Sequence, residues 1–213
     1  MERVVDDAMA FVRDVFRADC SGHDYFHTLR VYRMAVKLAE EEQADLDIVR
    51  LAALLHDVDD AKLSPETCAD QGRAAGFLRA HGVPEDRIKT ICGIIGEVSF
   101  KGSDSVTPET AEGKCVQDAD RLDALGAIGI ARTFAYGGSR GRAMYDPEVK
   151  PVEDMDGAQY QSHCDTTVNH FYEKLFRLKD LMNTDTARKI AERREEYMRR
   201  YLAEFMREWD GVC

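Results

Sequence analysis

The stretch "LAALLHDVDD", residues 51–60, is apolar on every side until it ends in His56-Asp57 and, one residue on, Asp59-Asp60. A helix that is apolar all round is buried, so His56 and Asp57 are expected near the interior. A carboxylate taken out of water costs several kcal/mol unless it is paired, hydrogen-bonded or bound to a metal. A divalent cation is one answer. An imidazole satisfied by a backbone carbonyl, with Asp57 capping a neighbouring segment, is another. Two further stretches offer matching residue types. "GHDYFHTLRV" sets His23 and His27 one helical turn apart, a spacing that lets both hold one ion, although His23 follows Ser21-Gly22 and reads equally as a loop residue. "QDADRLDALG" sets Asp118, Asp120 and Asp123 at the start of a core helix, where Asp120 is either a ligand or a cap that gains from the helix dipole. Ligands spread over three helices can converge on one ion.

The elements that must position these residues read almost entirely as helix. Val4, Val5, Ala8, Phe11, Val12, Val15 and Phe16 recur at helical spacing, and a second helix runs from Tyr25 to Glu42 through Leu29, Tyr32, Val36 and Ala39. Asp45 or Asp47 caps a third helix, Ile48 to about Val58. Ser64-Pro65-Glu66 opens a fourth, "HGVPED" ends it and starts a fifth, and Thr107-Pro108-Glu109 opens a sixth. Ala119 to Phe134 reads as another core helix, with Gly126 and Gly129 allowing close packing. "YGGSRGRAMYDPEVKPVEDMDG", residues 136–157, has no period and reads as a long loop. Two long C-terminal helices follow, over 159–182 and 184–209. The last presents Met198, Leu202, Phe205 and Trp209 on one face and the i,i+4 pairs Glu195/Arg199 and Glu196/Arg200 on a solvated one. The expected fold is all-α, a single helical domain over residues 1–213.

Composition narrows the function classes. Hydrophobic residues make up 44% and charged residues 32%, the balance of an ordinary globular chain. The formal charge of −11 repels nucleic-acid backbones and anionic lipids, so the expected partner is a small molecule, with no nucleic acid and no membrane. No stretch approaches the ~18 apolar residues of a membrane span, and the acidic N-terminus lacks the basic flank of a signal peptide; a cytoplasmic protein is expected. Six cysteines without any C-x-x-C pair suggest neither a zinc knuckle nor a disulfide framework.

The succession His27, His56-Asp57 and Asp120 resembles the H…HD…D signature of the HD-domain superfamily of metal-dependent phosphohydrolases, and "HTLRV" is similar to its H-x-x-R-V start. The likeness extends over "GHDYFH", "LAALLHD", "EGKCVQDADRLDALGAIGIARTFAYGG" and "NHFYEKLFRLKDLMNT", which resemble small bacterial-type HD hydrolases that include deoxynucleoside triphosphate pyrophosphohydrolases. The resemblance implies an all-α HD-domain bundle and one divalent metal held by His27, His56, Asp57 and Asp120. Mn²⁺ is expected first, with Fe²⁺, Co²⁺, Ni²⁺, Zn²⁺ or Mg²⁺ as alternatives. Two imidazoles and two carboxylates suit the first-row transition ions, whereas Mg²⁺ prefers all-oxygen shells. Such an ion activates water and draws charge from a phosphoryl oxygen.

Asp60 stands at i+4 from His56, on the same face if the helix continues, and is the first candidate to orient or deprotonate the attacking water. Asp59 is the second, or else it faces solvent or caps a helix end. Together they look like a displaced version of the acidic pair that follows the dyad in the related alarmone hydrolases. A nucleotide brought to an acidic protein needs local cations. Arg30, Lys62, Lys101, Lys114 and Arg121 are candidates, Arg30 and Arg121 foremost because each neighbours a metal ligand. His23 can donate to a phosphate oxygen, and Glu97 can contact a substrate hydroxyl or end its helix as a satisfied carboxylate. Phe26, Phe100 and Tyr145 offer rings for a base or for the core. His170 reads as a hydrogen-bonded core residue, and His81 and His163 as loop residues.

The function expected from the resemblance is cleavage of (deoxy)nucleoside triphosphates to monophosphate and pyrophosphate. The motif is shared by 5'-nucleotidases, triphosphohydrolases and cyclic-nucleotide phosphodiesterases, so the cut position stays open, as does a homodimer. A regulatory nucleotide-binding domain would be favoured by a lost ligand, and none of the four is missing.

Overall fold

Asp24 starts the element that carries His27: its carboxylate accepts the His27 backbone N–H at 2.7 Å and caps α2, Tyr25–Glu42. Asp45 does the same for α3, Leu46–Leu55, accepting from Asp47 and Ile48 at 2.9 and 3.2 Å. These elements belong to a computed structural model, which describes residues 1–17, 24–60, 71–99, 105–152, 155, 159, 163 and 165–212. Among them every regular element is helical, so the fold is all-α.

The described residues of Met1–Phe100 and Ser105–Asp120 form one compact unit, and those of Arg121–Cys213 a second. In the first, α3 is the central element and packs on α1 (Glu2–Val15), α2 and α5 (Glu85–Val98). Val49, Leu51, Ala52, Ala53, Leu54 and Leu55 are fully buried, as the all-round apolar pattern requires. The short α4, Gly72–Ala80, lies against α5. Polar ties set the register of α6, Ala111–Asp123. Glu112 accepts the Asp45 backbone N–H at 2.9 Å, and the buried Gln117 amide donates to the carbonyls of Glu97 and Val106 at 2.7 and 2.9 Å. In the second unit, α7 (Gly126–Ser139) and a 3₁₀ helix (Leu175–Leu181) pack on the long α9, Asp185–Trp209. Phe134 meets the rings of Phe171, Tyr201 and Phe205 with centroids 6.0–6.1 Å apart.

Several boundaries differ from those expected. The third helix stops at Leu55 rather than Val58, and residues 56–59 form a turn. The expected helix over 119–134 is two: α6 ends at Asp123, and α7 begins at Gly126, whose φ of +75° suits glycine. The side chain of Arg194 lies against Gly126, at 3.1 Å from where a Cβ would stand. Asp118, Asp120 and Asp123 therefore sit at the C-terminal end of a helix, not at its start, and Asp120 is no N-cap. The loop expected from Tyr136 begins at Arg140, because α7 runs to Ser139. The opening proposed at Ser64-Pro65 lies outside the described residues, where α4 is first seen at Gly72.

The expected helix over 159–182 divides, in the described residues, into α8 (Asn169–Glu173) and the 3₁₀ helix, so a single long helix ends the chain rather than two. An i,i+3 apolar stripe serves both helix types; spacing alone does not separate them. Glu195 is also displaced from the solvated face expected for it. It is buried, holds Arg199 at 2.7 Å and Lys179 at 3.5 Å, and the Arg199 guanidinium covers the Phe176 ring at 4.1 Å. No helix among the described residues is long and apolar enough to cross a membrane.

Candidate metal centre

Three helix ends of the first unit bring the HD-type residues together. His27 comes from the first turn of α2, His56 and Asp57 from the C-terminal end of α3, and Asp120 from the last turn of α6. Asp57 Oδ2 lies 3.4 Å from His27 Nε2 and 3.2 Å from His56 Nε2. Asp120 Oδ1 lies 3.4 Å from His27 Nε2 and 3.9 Å from His56 Nε2. Neighbouring donors on an ion with bonds of about 2.1 Å stand roughly 3.0–3.4 Å apart, the range into which three of these four separations fall. The two imidazoles stand nearly edge to face, 5.3 Å between centroids.

The imidazole of His56 shows why a cation fits. Its Nδ1 donates to the Ala53 carbonyl at 2.9 Å, a carbonyl left over at the helix end. That bond fixes the tautomer and leaves the Nε2 lone pair, buried and without a hydrogen bond of normal geometry, pointing at Asp57. The backbone-carbonyl alternative for His56 is thus present together with ligand geometry, one ring nitrogen serving each. Electrostatics act in the same direction. Burial pulls the His56 pKa down, but Asp57 and Asp120 outweigh it and hold the imidazole above its ordinary value. Burial pushes Asp120 up, but its hydrogen bond to His27 and the charge of both imidazoles hold it below the usual carboxylate range. The site favours added positive charge, which a proton or a divalent ion can supply.

The acidic pair separates into two tasks. Asp59 is buried, and its two carboxylate oxygens accept the backbone N–H groups of Arg73 at 3.1 Å and Ala74 at 2.9 Å. It caps α4 from twelve residues upstream of Gln71, the N-cap residue, whose own side chain makes no cap bond. Asp59 thus has a structural task, with one backbone amide on each carboxylate oxygen. Asp59→Ala is expected to cost about 0.5–2 kcal/mol, read from urea unfolding, while Mn²⁺ content stays at the wild-type level. Asp60 keeps its candidacy by another route. The helix ends before it, so the i+4 argument fails, but its N–H donates to the Asp57 carbonyl at 3.0 Å in a turn that keeps it beside the dyad.

The candidate cations are dispersed. Arg30 is half-buried on α2, one turn past His27. Arg121 is buried and donates to the Leu181 carbonyl. The Glu97 carboxylate lies beside Gly113 in the first turn of α6, and Gly113 precedes Asp120 by seven residues, about 10 Å along a helix. The Glu97 carboxylate and Lys114 thus lie at the first turn of α6, and Asp120 at its last. His23, Lys62, Lys101 and Phe100 lie outside the described residues. Phe26 is exposed, whereas Tyr145 packs on Phe205 and Trp209. Sequence reading passed over a second cluster, His163, Asp165 and Glu173. Its only signal was an acid two residues after a histidine, within the span read as the helix over 159–182.

The HD domain family profile matches residues 24–125. The chain is similar to the protein YpgQ of Bacillus subtilis, 37% identical over 204 residues that cover 95% of this chain and 92% of that protein. Among solved structures, a protein of Lactobacillus plantarum superposes with a TM-score of 0.88 at 40% identity, covering 99% of this chain and 98% of the other. An HD-superfamily hydrolase of Bacillus thuringiensis gives 0.77 at 43% identity, with 98% of each chain covered. YpgQ in complex with ADP gives 0.78 at 37% identity, covering 98% of this chain and all of that one.

Proposed function

This chain belongs to the HD-domain superfamily of hydrolases, and from that premise we propose that it is a cytoplasmic, divalent-metal-dependent phosphohydrolase that cleaves (deoxy)nucleoside triphosphates to monophosphate and pyrophosphate. The observation that carries hydrolysis is the convergence of His27, His56, Asp57 and Asp120 from three helix ends, with His56 Nε2 buried and aimed at the Asp57 carboxylate. The nucleotide rests on the ADP complex of YpgQ, a relative similar over nearly the whole chain.

In this reading the four residues hold one ion, Mn²⁺ by preference because the donors are mixed nitrogen and oxygen. When bound, the ion supplies Lewis acidity toward water and a phosphoryl oxygen. The chain's own residues do the rest. Ala53 holds the His56 ring through Nδ1, and Asp24 holds the turn that carries His27. Asp60 takes the proton of the water that adds to the α-phosphorus, as the bridging oxygen leaves with pyrophosphate; its turn bond to Asp57 supports the assignment. Arg30 offsets phosphate charge from α2.

The test is product analysis of the purified protein with Mn²⁺ and a panel of nucleoside mono-, di- and triphosphates and cyclic nucleotides. Monophosphate plus pyrophosphate, lost in His56→Ala, is the expected result. Asp60→Ala should keep its Mn²⁺ and slow turnover by about 10²–10⁴-fold; an unchanged rate removes Asp60 from the mechanism. Orthophosphate or a linearised nucleotide would keep the hydrolase and overturn the cut position. No turnover with Mn²⁺ bound would make the chain a regulatory nucleotide-binding domain.

A further inference from the structure

The second unit holds a group of side chains that the HD site does not use. His163 Nε2 lies 3.0 Å from Glu173 Oε1 and 3.5 Å from Asp165 Oδ2. One ligand atom from each of the three residues lies within 4.8 Å of the others. We propose that His163, Asp165 and Glu173 form a second divalent-cation site, one that pins the segments around residues 149–152 and 163–165 to α8.

Three observations carry this. The first is charge. The Asp165 and Glu173 side chains are 4% and 3% exposed, so two carboxylates are withdrawn from water side by side. Among the described residues, the one basic side chain within ion-pair distance of either is His163. His170 cannot add charge: burial, and then the positive charges of Lys174, Arg142 and His163, push its pKa down to about 3.

The second observation is the donor spacing, 3.0–3.5 Å from imidazole to carboxylate oxygen, which matches the 3.2–3.4 Å between Asp57 and the two imidazoles in the HD site. The third is the way the carboxylates are held from outside the cluster. Thr166 N–H donates to Asp165 Oδ1 at 2.5 Å, the Asn169 amide donates to Asp165 Oδ2 at 2.9 Å and to the Val149 carbonyl at 3.0 Å, and Val152 N–H donates to Glu173 Oε1 at 3.1 Å. Outer-shell bonds of this kind orient metal ligands. One imidazole and two carboxylates suit Mn²⁺, Co²⁺ or Zn²⁺ better than Ca²⁺.

The inference does not rest on the HD reading, and the test separates the two. Mn²⁺ bound to the full-length protein is counted by elemental analysis after equilibrium dialysis. Wild type should hold two ions, the His56→Ala/Asp57→Asn double variant one, and the same variant with Asp165→Asn none. Asp165→Asn alone should hold one ion and retain nucleotide turnover. A single ion in wild type, lost with the double variant, overturns the proposal. So does an occupancy that Asp165→Asn leaves unchanged. Should Asp165→Asn lower the helical circular dichroism, protease cleavage within residues 140–168 of the double variant replaces it. Mn²⁺ should slow that cleavage, and an unchanged rate counts against the site.

Discussion

Asp57→Asn is expected to fold as wild type does, to lose Mn²⁺ affinity by at least ~10²-fold and to lose nucleotide turnover to background. The substitution is isosteric and keeps the packing of a side chain only 8% exposed. What it removes is charge at the oxygen that approaches both imidazoles most closely, 3.4 Å from His27 Nε2 and 3.2 Å from His56 Nε2. A neutral amide is a weaker donor to a divalent ion and presents an N–H group in half its orientations. Stability without metal should not fall, since Asp57 and Asp120 approach the same imidazoles and the repulsion between the two carboxylates is relieved. The checks are Mn²⁺ content, pyrophosphate release and urea unfolding on the same preparation. Full metal content with full turnover would remove Asp57 from the site.

The second large effect is on stability. Leu54→Ala should cost about 2–5 kcal/mol, the range for emptying a packed core position. Leu54 is fully buried in the last turn of α3, which packs on α1, α2 and α5. Neighbours on three helices cannot all move inward, so a cavity remains and its lining loses dispersion contacts. Urea unfolding should show a lower midpoint at unchanged slope, the mark of lost stability without a changed transition. A cost below about 1 kcal/mol would mean that the core around α3 collapses on the cavity. The same helix ends in His56 and Asp57, so its rigidity also sets the ligand spacing.

The residues that assemble the metal centre were legible because two local signals coincide. An apolar run ending in His-Asp marks a buried helix end, and Asp45, read with Asp47 as a cap, marks where that helix begins. The bounds of α2 follow from its period and match Tyr25–Glu42. What local pattern does not show is set by partners distant in the chain. Asp59 looked like half of an acidic pair, yet the amides of Arg73 and Ala74 claim both its oxygens. Arg121 looked like a phosphate contact because Asp120 is its neighbour, but successive residues on a helix point about 100° apart, and its guanidinium reaches Leu181. Glu195 fitted a solvated i,i+4 pair until Lys179 and the Phe176 ring brought it inside.

By itself, then, the sequence determined the all-helical character, the burial of α3 and the residue types offered for chemistry. Each depends on local period, capping and the cost of burying charge. The tertiary structure decided which offered groups meet. It ended α6 at Asp123, so that Asp120 stands at a helix C-terminus. It brought His163, Asp165 and Glu173 together, although the sequence marks only one of them as a histidine in a loop. Such choices depend on contacts between residues far apart in the chain, and no local pattern encodes those distances.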